Sequence, residues 1–302
     1  MDKLTFEHQN QFKDRLIYDP TVFECIDPHV NLHEETKGNP LSSAAACLNV
    51  LGSLMHQPEE LKNFFNQFGL EIETIYPFPS NCNVEGRNYS DSGYVIFEWV
   101  GPKESPINEG FGARGKYITS IDAFVIAKIE GKITQLLIEW KFTEGKSRAL
   151  TLDRFSGTKG IERLSRYSRI LTKLRNKKEF PFNFSEEGGL GLFDFSADHL
   201  YQLLRMTLLA KTTTPIVIGD INVEDYRIVH LSHSANNEIE ILHDKYLQSS
   251  PGLKKYAGKK LYDVWNEILS PYEREKFKYG HWADAIKNIK DNELRTYLNT
   301  RY

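Results

Sequence analysis

Residues 120–142 read Ser-Ile-Asp-Ala-Phe-Val-Ile-Ala-Lys-Ile-Glu-Gly-Lys-Ile-Thr-Gln-Leu-Leu-Ile-Glu-Trp-Lys-Phe. Two runs of β-formers, Ser120 to Ile129 and Ile133 to Phe142, flank Glu130-Gly131-Lys132, which is a hairpin signal. If Glu130-Gly131 is the loop, Ile129 pairs with Lys132 and Asp122 falls opposite Glu139; if Gly131-Lys132 is the loop, Asp122 falls opposite Lys141. In either register, period-two alternation places Asp122, Glu139 and Lys141 on one face, with opposed Cβ atoms roughly 5 Å apart.

The rest of both faces is apolar: Ile121, Ala123, Val125, Leu136, Ile138 and Trp140 on one, Phe124, Ile126 and Leu137 on the other. Strands of this kind are usually central and covered on both sides. Two carboxylates side by side there repel each other and lose hydration unless a cation joins them. Oxygen ligands suit Mg²⁺, with Mn²⁺ as a substitute. An ion held by Asp122 and Glu139 would polarise a scissile phosphate and acidify a bound water, and Lys141 would position that water or stabilise transition-state charge. The competing reading is a plain Glu–Lys–Asp salt cluster at an exposed hairpin end, the normal fate of an isolated carboxylate.

Outward from the hairpin, Tyr94 to Trp99 reads as a strand, and 101 to 117, rich in Gly and Pro, as a loop in which Gly112 to Lys116 with Arg114 reads equally as an approach to DNA or as a plain connector. Helices are expected over 3–17, over 43–55 with serines at its start, and from Pro58 through Phe68 with Gly69 as its stop, followed by a polar loop. After the hairpin the period changes: 159–177 carries Ile161, Leu164, Tyr167, Ile170, Leu171 and Leu174 at helical spacing, and 197–211 carries Leu200, Leu203, Leu204 and Leu208. Tyr226 to Leu231 reads as a last strand. The remainder is expected to be helical, with Ser270-Pro271-Tyr272-Glu273 as a capping box and Trp265, Tyr262, Phe277, Tyr279, Trp282 and Tyr297 as one aromatic packing layer. These parts predict a mixed α/β fold with one sheet between helices, as a single domain over 1–302.

Composition narrows the class. The chain has 302 residues, of which 40% are hydrophobic, enough for a sizeable core, and no apolar run reaches the roughly 20 residues that span a bilayer. The N-terminus lacks the apolar centre of a secretion signal, so a cytoplasmic location is expected. Cys25, Cys47 and Cys82 have neither number nor spacing for a disulfide framework or zinc site. A formal net charge of −3 makes no global case for nucleic-acid binding. An enzyme that grips DNA with one basic face can still be acidic overall.

Ile121-Asp122-Ala123 followed by Ile138-Glu139-Trp140-Lys141 resembles the PD-(D/E)XK nuclease superfamily, whose motif is an acid on one strand and Glu-x-Lys at the end of the next. Leu41-Ser42-Ser43 with Asn49, the Lys141-Phe142-Thr143-Glu144 ending and Tyr201-Gln202-Leu203-Leu204-Arg205 resemble a bacterial restriction-endonuclease-like subgroup. The resemblance implies an αβββαβ core over 41–233, with 1–40 and 234–302 as helical extensions. It also implies Mg²⁺, double-stranded DNA as first-choice substrate, Asp122 and Glu139 as metal ligands, and the Trp140 carbonyl as a third. Ile121 stands where the superfamily usually has Pro. The acid that many members carry on the first core helix is missing from 43–55, which leaves Glu98 or Glu144 as the substitutes to weigh against surface or salt-bridge roles. Gln202 and Arg205 are accessory candidates, the arginine for a phosphate.

Lys159, Arg163, Arg166, Arg169, Lys173 and Lys177 recur at three- and four-residue steps, a basic stripe that reads equally as a phosphate-backbone contact or as an ordinary solvated face. His230 and His233 read first as structural hydrogen-bonders. The functions to separate are an endonuclease, for instance in defence against foreign DNA, a repair or recombination exonuclease or RNase on the same fold, and a non-catalytic binding module. Cutting both strands needs two active sites or two encounters, and a homodimer is one way to supply them.

Overall fold

The computed structural model describes residues 17–25, 39, 41–78, 82–84, 87–89, 93–102, 106–107, 109, 119–143, 153–183 and 190–302. The expected helix over 3–17 lies outside these residues except for its last position, as do the Gly112–Lys116 loop and Glu144. The chain forms two compact units, one of residues 1–143, 213–235 and 278–302, the other of 144–212 and 236–277. No helix among the described residues is long and apolar enough to cross a membrane.

The first unit is built on a mixed sheet. Helix α1 (Ser43–Cys47) is capped by Ser42, whose side chain accepts from the Ala45 amide at 3.3 Å, and runs into a π-helical turn, Leu48–Gly52, where a plain α-helix was expected. Helix α2 (Pro58–Asn66) follows, with Glu59 and Glu60 in its first turn, and Gly69, at φ 71°, reverses the chain. The next strands are β1 (Ile72–Tyr76), β2 (Cys82–Val84), β3 (Arg87–Tyr89) and β4 (Ile96–Trp99); among the described residues β2 and β3 pair with each other alone. The decisive hairpin is β5 (Ile121–Ile129) and β6 (Lys132–Trp140). Ile129 pairs with Lys132, which selects the Glu130-Gly131 loop; both loop residues have positive φ, 50° and 75°, the conformation a tight two-residue turn demands.

Segment 72–76 is therefore a strand where a polar loop was expected. It is an edge strand with two exposed residues, and Glu73 holds the hairpin loop by accepting from the Gly131 amide at 2.7 Å. β1 and β4 lie along the same edge of β5, β1 against Ile126–Ile129 and β4 against Ile121–Phe124. On the other side of β6, β9 (Asp225–Ser232) runs parallel, and β10 (Phe277–His281) closes the order β1-β5-β6-β9-β10.

One face of this sheet, with Ala123, Val125, Leu136, Ile138, Trp140, Val229 and Leu231, shares a core with Leu51 and Leu54, with Phe64 and Phe65 of α2, and with the C-terminal residues Trp282, Ile286, Leu294 and Leu298. The segment beyond 234 is thus no purely helical appendage: β10 extends the sheet, and the last helices complete the same core as α1 and α2. The mixed α/β fold with helices packed on a central sheet matches the expectation and is consistent with a restriction-endonuclease-like fold.

The second unit is helical. Helix α3 (Gly157–Asn176) buries Tyr167, Ile170, Leu171 and Leu174, but Ile161, counted in its apolar stripe from spacing alone, is 67% exposed. Helix α4 (Asp198–Thr213) is tied to it by the Tyr167 and Tyr201 hydroxyls, 3.0 Å apart. Beyond the short hairpin of β7 (Ile216–Ile218) and β8 (Ile221–Val223), which belongs to the first unit, come the single turn α5 (Asn237–Glu240), α6 (Leu261–Ile268) and α7 (Pro271–Lys276). Pro271 opens α7 as expected, but Ser270 makes no side-chain cap and Glu273 instead binds Lys211 at 2.7 Å, so the capping box does not form. Buried, Glu273 gains more from that ammonium than from a backbone amide. The expected single aromatic layer divides between the units: Trp265 packs on Phe182 and Phe195 in the second, Trp282 on Trp140 and Phe142 in the first.

Candidate active site

The hairpin ladder ends at Ala123 and Ile138, and the next step brings Asp122 beside Glu139. There the Trp140 amide donates to Asp122 Oδ2 at 2.6 Å. Glu139 and Lys141 are both 7% exposed, and Lys141 Nζ lies 2.6 Å from Glu139 Oε1. The structure therefore brings Asp122, Glu139 and Lys141 together around the open end of β5 and β6, with the Trp140 backbone against the first acid.

A third acid joins them. The β4–β5 register, Phe97 with Ala123 and Trp99 with Ile121, sets Glu98 beside Asp122 on the side away from Glu139. Glu98 is 3% exposed, not a surface group, and adopts φ 54°, a backbone conformation that L side chains rarely hold. The break lets Trp99 stack on Phe124, ring centroids 4.1 Å apart, while Phe97 enters the core on the other face. On β9, His230 is buried and paired in register with Glu139.

Electrostatics follow from that packing. Burial pushes the Asp122 carboxyl well above the usual range; Glu139 and Glu98 push the same way, against the opposing pull of Lys141 and the Trp140 amide. Burial also raises the Cys47 thiol on α1, and Asp122, Glu98 and Glu139 add to it, so this small core residue lies within the field of all three acids.

Lys141 stands one residue past the strand end, and its backbone is held on both sides. Its amide donates to the Leu231 carbonyl at 2.8 Å, and its carbonyl accepts from Trp282 Nε1 at 2.9 Å and from the His233 amide at 3.1 Å. The Phe142 amide donates to Ser43 Oγ at 2.8 Å, fastening the same corner to α1. His233 is structural, as expected: its Nδ1 accepts from the Ala235 amide, and its Nε2 lies 3.1 Å from the Tyr302 carbonyl. Tyr302 packs edge-on against Phe142 and Trp282, and Asn49 links its hydroxyl to the Tyr18 amide. Sequence reading put Trp282 in a packing layer and missed this role; a side-chain donor 141 residues from its acceptor leaves no trace in spacing.

A model of the family described as Restriction Endonuclease associating with ARP matches residues 21–302. The chain belongs to that family. No curated protein and no solved structure gives a significant match. Membership supports a nuclease role, and the acids and lysine described above fall within the matched region.

The accessory candidates lie on the second unit. Tyr201 is buried, with the guanidinium groups of Arg205 and Arg163 over its ring at 5.1 and 5.8 Å. Gln202 and Arg205 are half-buried on α4. Along α3, Lys159, Arg169, Lys173 and Lys177 are exposed, while Arg163 and Arg166 are half-buried and Arg163 also donates to the Arg154 carbonyl at 2.9 Å. The stripe is thus narrower than its spacing suggested.

Proposed function

We propose that the protein is a PD-(D/E)XK-type nuclease that hydrolyses phosphodiester bonds of double-stranded DNA with Mg²⁺, or Mn²⁺ in its place. The observation that carries this is the convergence of charge at the hairpin end: burial raises the Asp122 carboxyl, Glu139 and Glu98 push it the same way, and Lys141, 2.6 Å from Glu139, pulls against them. Carboxylates buried side by side are stabilised when a cation joins them.

The donor set fits such an ion. Among the described residues no three His, Cys, Asp or Glu side chains group closely enough to hold a metal. Mg²⁺ characteristically takes one or two carboxylates and keeps water or substrate oxygens in the remaining positions. Asp122 and Glu139 would supply the carboxylates and the Trp140 carbonyl a backbone oxygen. Bound there, the ion supplies Lewis-acid polarisation of phosphate and acidification of water.

The chain's own residues do the rest. Asp122 is oriented by the Trp140 amide, and Glu139 by the ammonium of Lys141. Lys141 holds a proton at Nζ, positioned to orient attacking water or to stabilise charge on the phosphate oxygens, and its fixed backbone limits the search of its long side chain. The exposed cations of α3 serve as phosphate-backbone contacts, with Gln202 and Arg205 as accessory groups. The family's description also names an association with ARP, and we extend a protein partner to this chain on that ground; a homodimer would bring two cutting sites to one duplex.

The test is incubation of the purified protein with closed circular, linear and single-stranded DNA and with RNA, in Mg²⁺, Mn²⁺ or chelator. Metal-dependent cutting of closed circles supports the proposal. Cutting only from ends, or only of RNA, replaces the substrate, and binding without cutting in every metal removes the enzyme.

A further inference from the structure

The two units carry opposite charge. The unit of residues 1–143, 213–235 and 278–302 has 18 Lys and Arg against 26 Asp and Glu, a formal −8; the other has 20 against 15, a formal +5. A chain of net −3 therefore keeps a positive excess on the unit that does not carry Glu98, Asp122 and Glu139. The stripe on α3 accounts for part of this excess.

A second concentration lies at Leu253-Lys254-Lys255-Tyr256-Ala257-Gly258-Lys259-Lys260. The segment leaves a 3₁₀ turn, Pro251–Tyr256, and reverses at Gly258, whose φ of 83° is available to glycine at little cost. The reversal is hydrogen-bonded: the Ala257 amide donates to the Lys254 carbonyl, the Lys259 amide to the Tyr256 carbonyl, the Gly258 amide to the Leu242 carbonyl, and the Leu242 amide to the Lys259 carbonyl. As a result, Lys255 and Lys259 come to the same ring, each ammonium 5.0 Å from the Tyr256 centroid. Tyr256 is itself 5% exposed and anchored by its hydroxyl on Glu267 at 2.6 Å. Lys254, Lys255, Lys259 and Lys260 are all exposed, and none has a carboxylate partner among the described residues. Four like charges on a rigid turn repel one another, and an anion with regularly spaced charges relieves them.

We propose that this lysine turn is a phosphate-backbone contact for duplex DNA, additional to the α3 stripe; the identity of the duplex rests on the nuclease reading above. The surface favours nucleic acid over a protein because the segment's apolar side chains, Leu253 and Tyr256, are buried, and lysine is depleted where protein interfaces pack. It favours a polyanion in solution over a lipid surface for the same reason, since no large apolar residue of the turn is exposed to enter a bilayer.

The experiment measures duplex binding by the full chain in chelator, by fluorescence anisotropy over a salt series, for wild type, for Lys255→Gln/Lys259→Gln and for the quadruple variant with Lys254 and Lys260 also changed to Gln. If each lysine releases counterions on a phosphate, the quadruple variant lowers the salt slope by roughly 3 to 4 and the double variant by roughly half that, with affinity falling about tenfold or more at moderate salt. A quadruple variant that keeps the wild-type slope and melting temperature overturns the proposal, as does loss of binding to phosphatidylserine vesicles with duplex affinity unchanged. Wild type that cuts DNA alongside an unchanged slope defeats the lysine turn alone; wild type that binds through these lysines and never cuts defeats the nuclease reading alone.

Discussion

The corner that holds Lys141 and the pocket that holds His199 are both buried, and they are built on opposite principles. Around Lys141 the backbone amide, the carbonyl and the next amide all have partners, supplied by β9, Trp282, His233 and Ser43. In the helical unit, His199 is 5% exposed and neither ring nitrogen has a hydrogen-bond partner among the described residues. In one region the backbone is fully partnered; in the other a buried side chain is not. A backbone pinned at three points fixes geometry, as a reacting site requires, whereas an orphaned imidazole costs stability and should make its unit sensitive to pH.

The largest effect should come from Glu139→Ala, which removes one side of the acid pair and the partner of Lys141. Cleavage should fall about a thousandfold or more while duplex affinity in chelator stays near wild type. Trp282→Phe keeps an aromatic ring against Trp140 but deletes the donor to the Lys141 carbonyl. Supporting bonds of this kind are worth about 10- to 100-fold in activity. The loss should fall on kcat with KM unchanged, and a matching rise in KM would show that the corner serves binding instead.

The helical unit answers to acid. Burial lowers His199 to about 4, with His243 adding to the drop and Asp198 opposing it. The unfolded chain takes up a proton near pH 6.5 and the folded chain does not until near 4, so stability is full above 6.5 and is lost as pH falls through that window. The total is about 3 kcal/mol. Denaturant melts at pH 7 and pH 4.5 should show this decline, and His199→Leu should flatten it. An unchanged decline in that variant would mean that another group titrates. The smallest effect is expected for Ser43→Ala, which leaves the Phe142 amide without its acceptor and should cost about 1 kcal/mol in the same melts.

What could be read in advance divides along physical lines. The hairpin and its three charged residues were legible because pairing, face and turn are all local: the alternation, Glu130-Gly131 and the count between Asp122 and Glu139 specify one another. Strand β1 was not, because an edge strand preceded by Glu71 and carrying Glu73 has the composition of a loop and becomes a strand only by pairing with β5. Glu98 was legible as a strand residue but not as a buried one, since every residue of β4 is covered and a carboxylate's own propensity does not encode that. The division into two units was hidden for a further reason: each is assembled from separated stretches, and their opposite charges cancel in the total.

The most direct test is a crystal soaked in Mn²⁺ and measured at the manganese absorption edge. A single anomalous peak within coordination distance of both Asp122 and Glu139, lost in Glu139→Ala, is the predicted result. Density with Lys141 still bound to Glu139 and manganese absent or elsewhere would contradict a shared ion and leave the trio as a salt cluster.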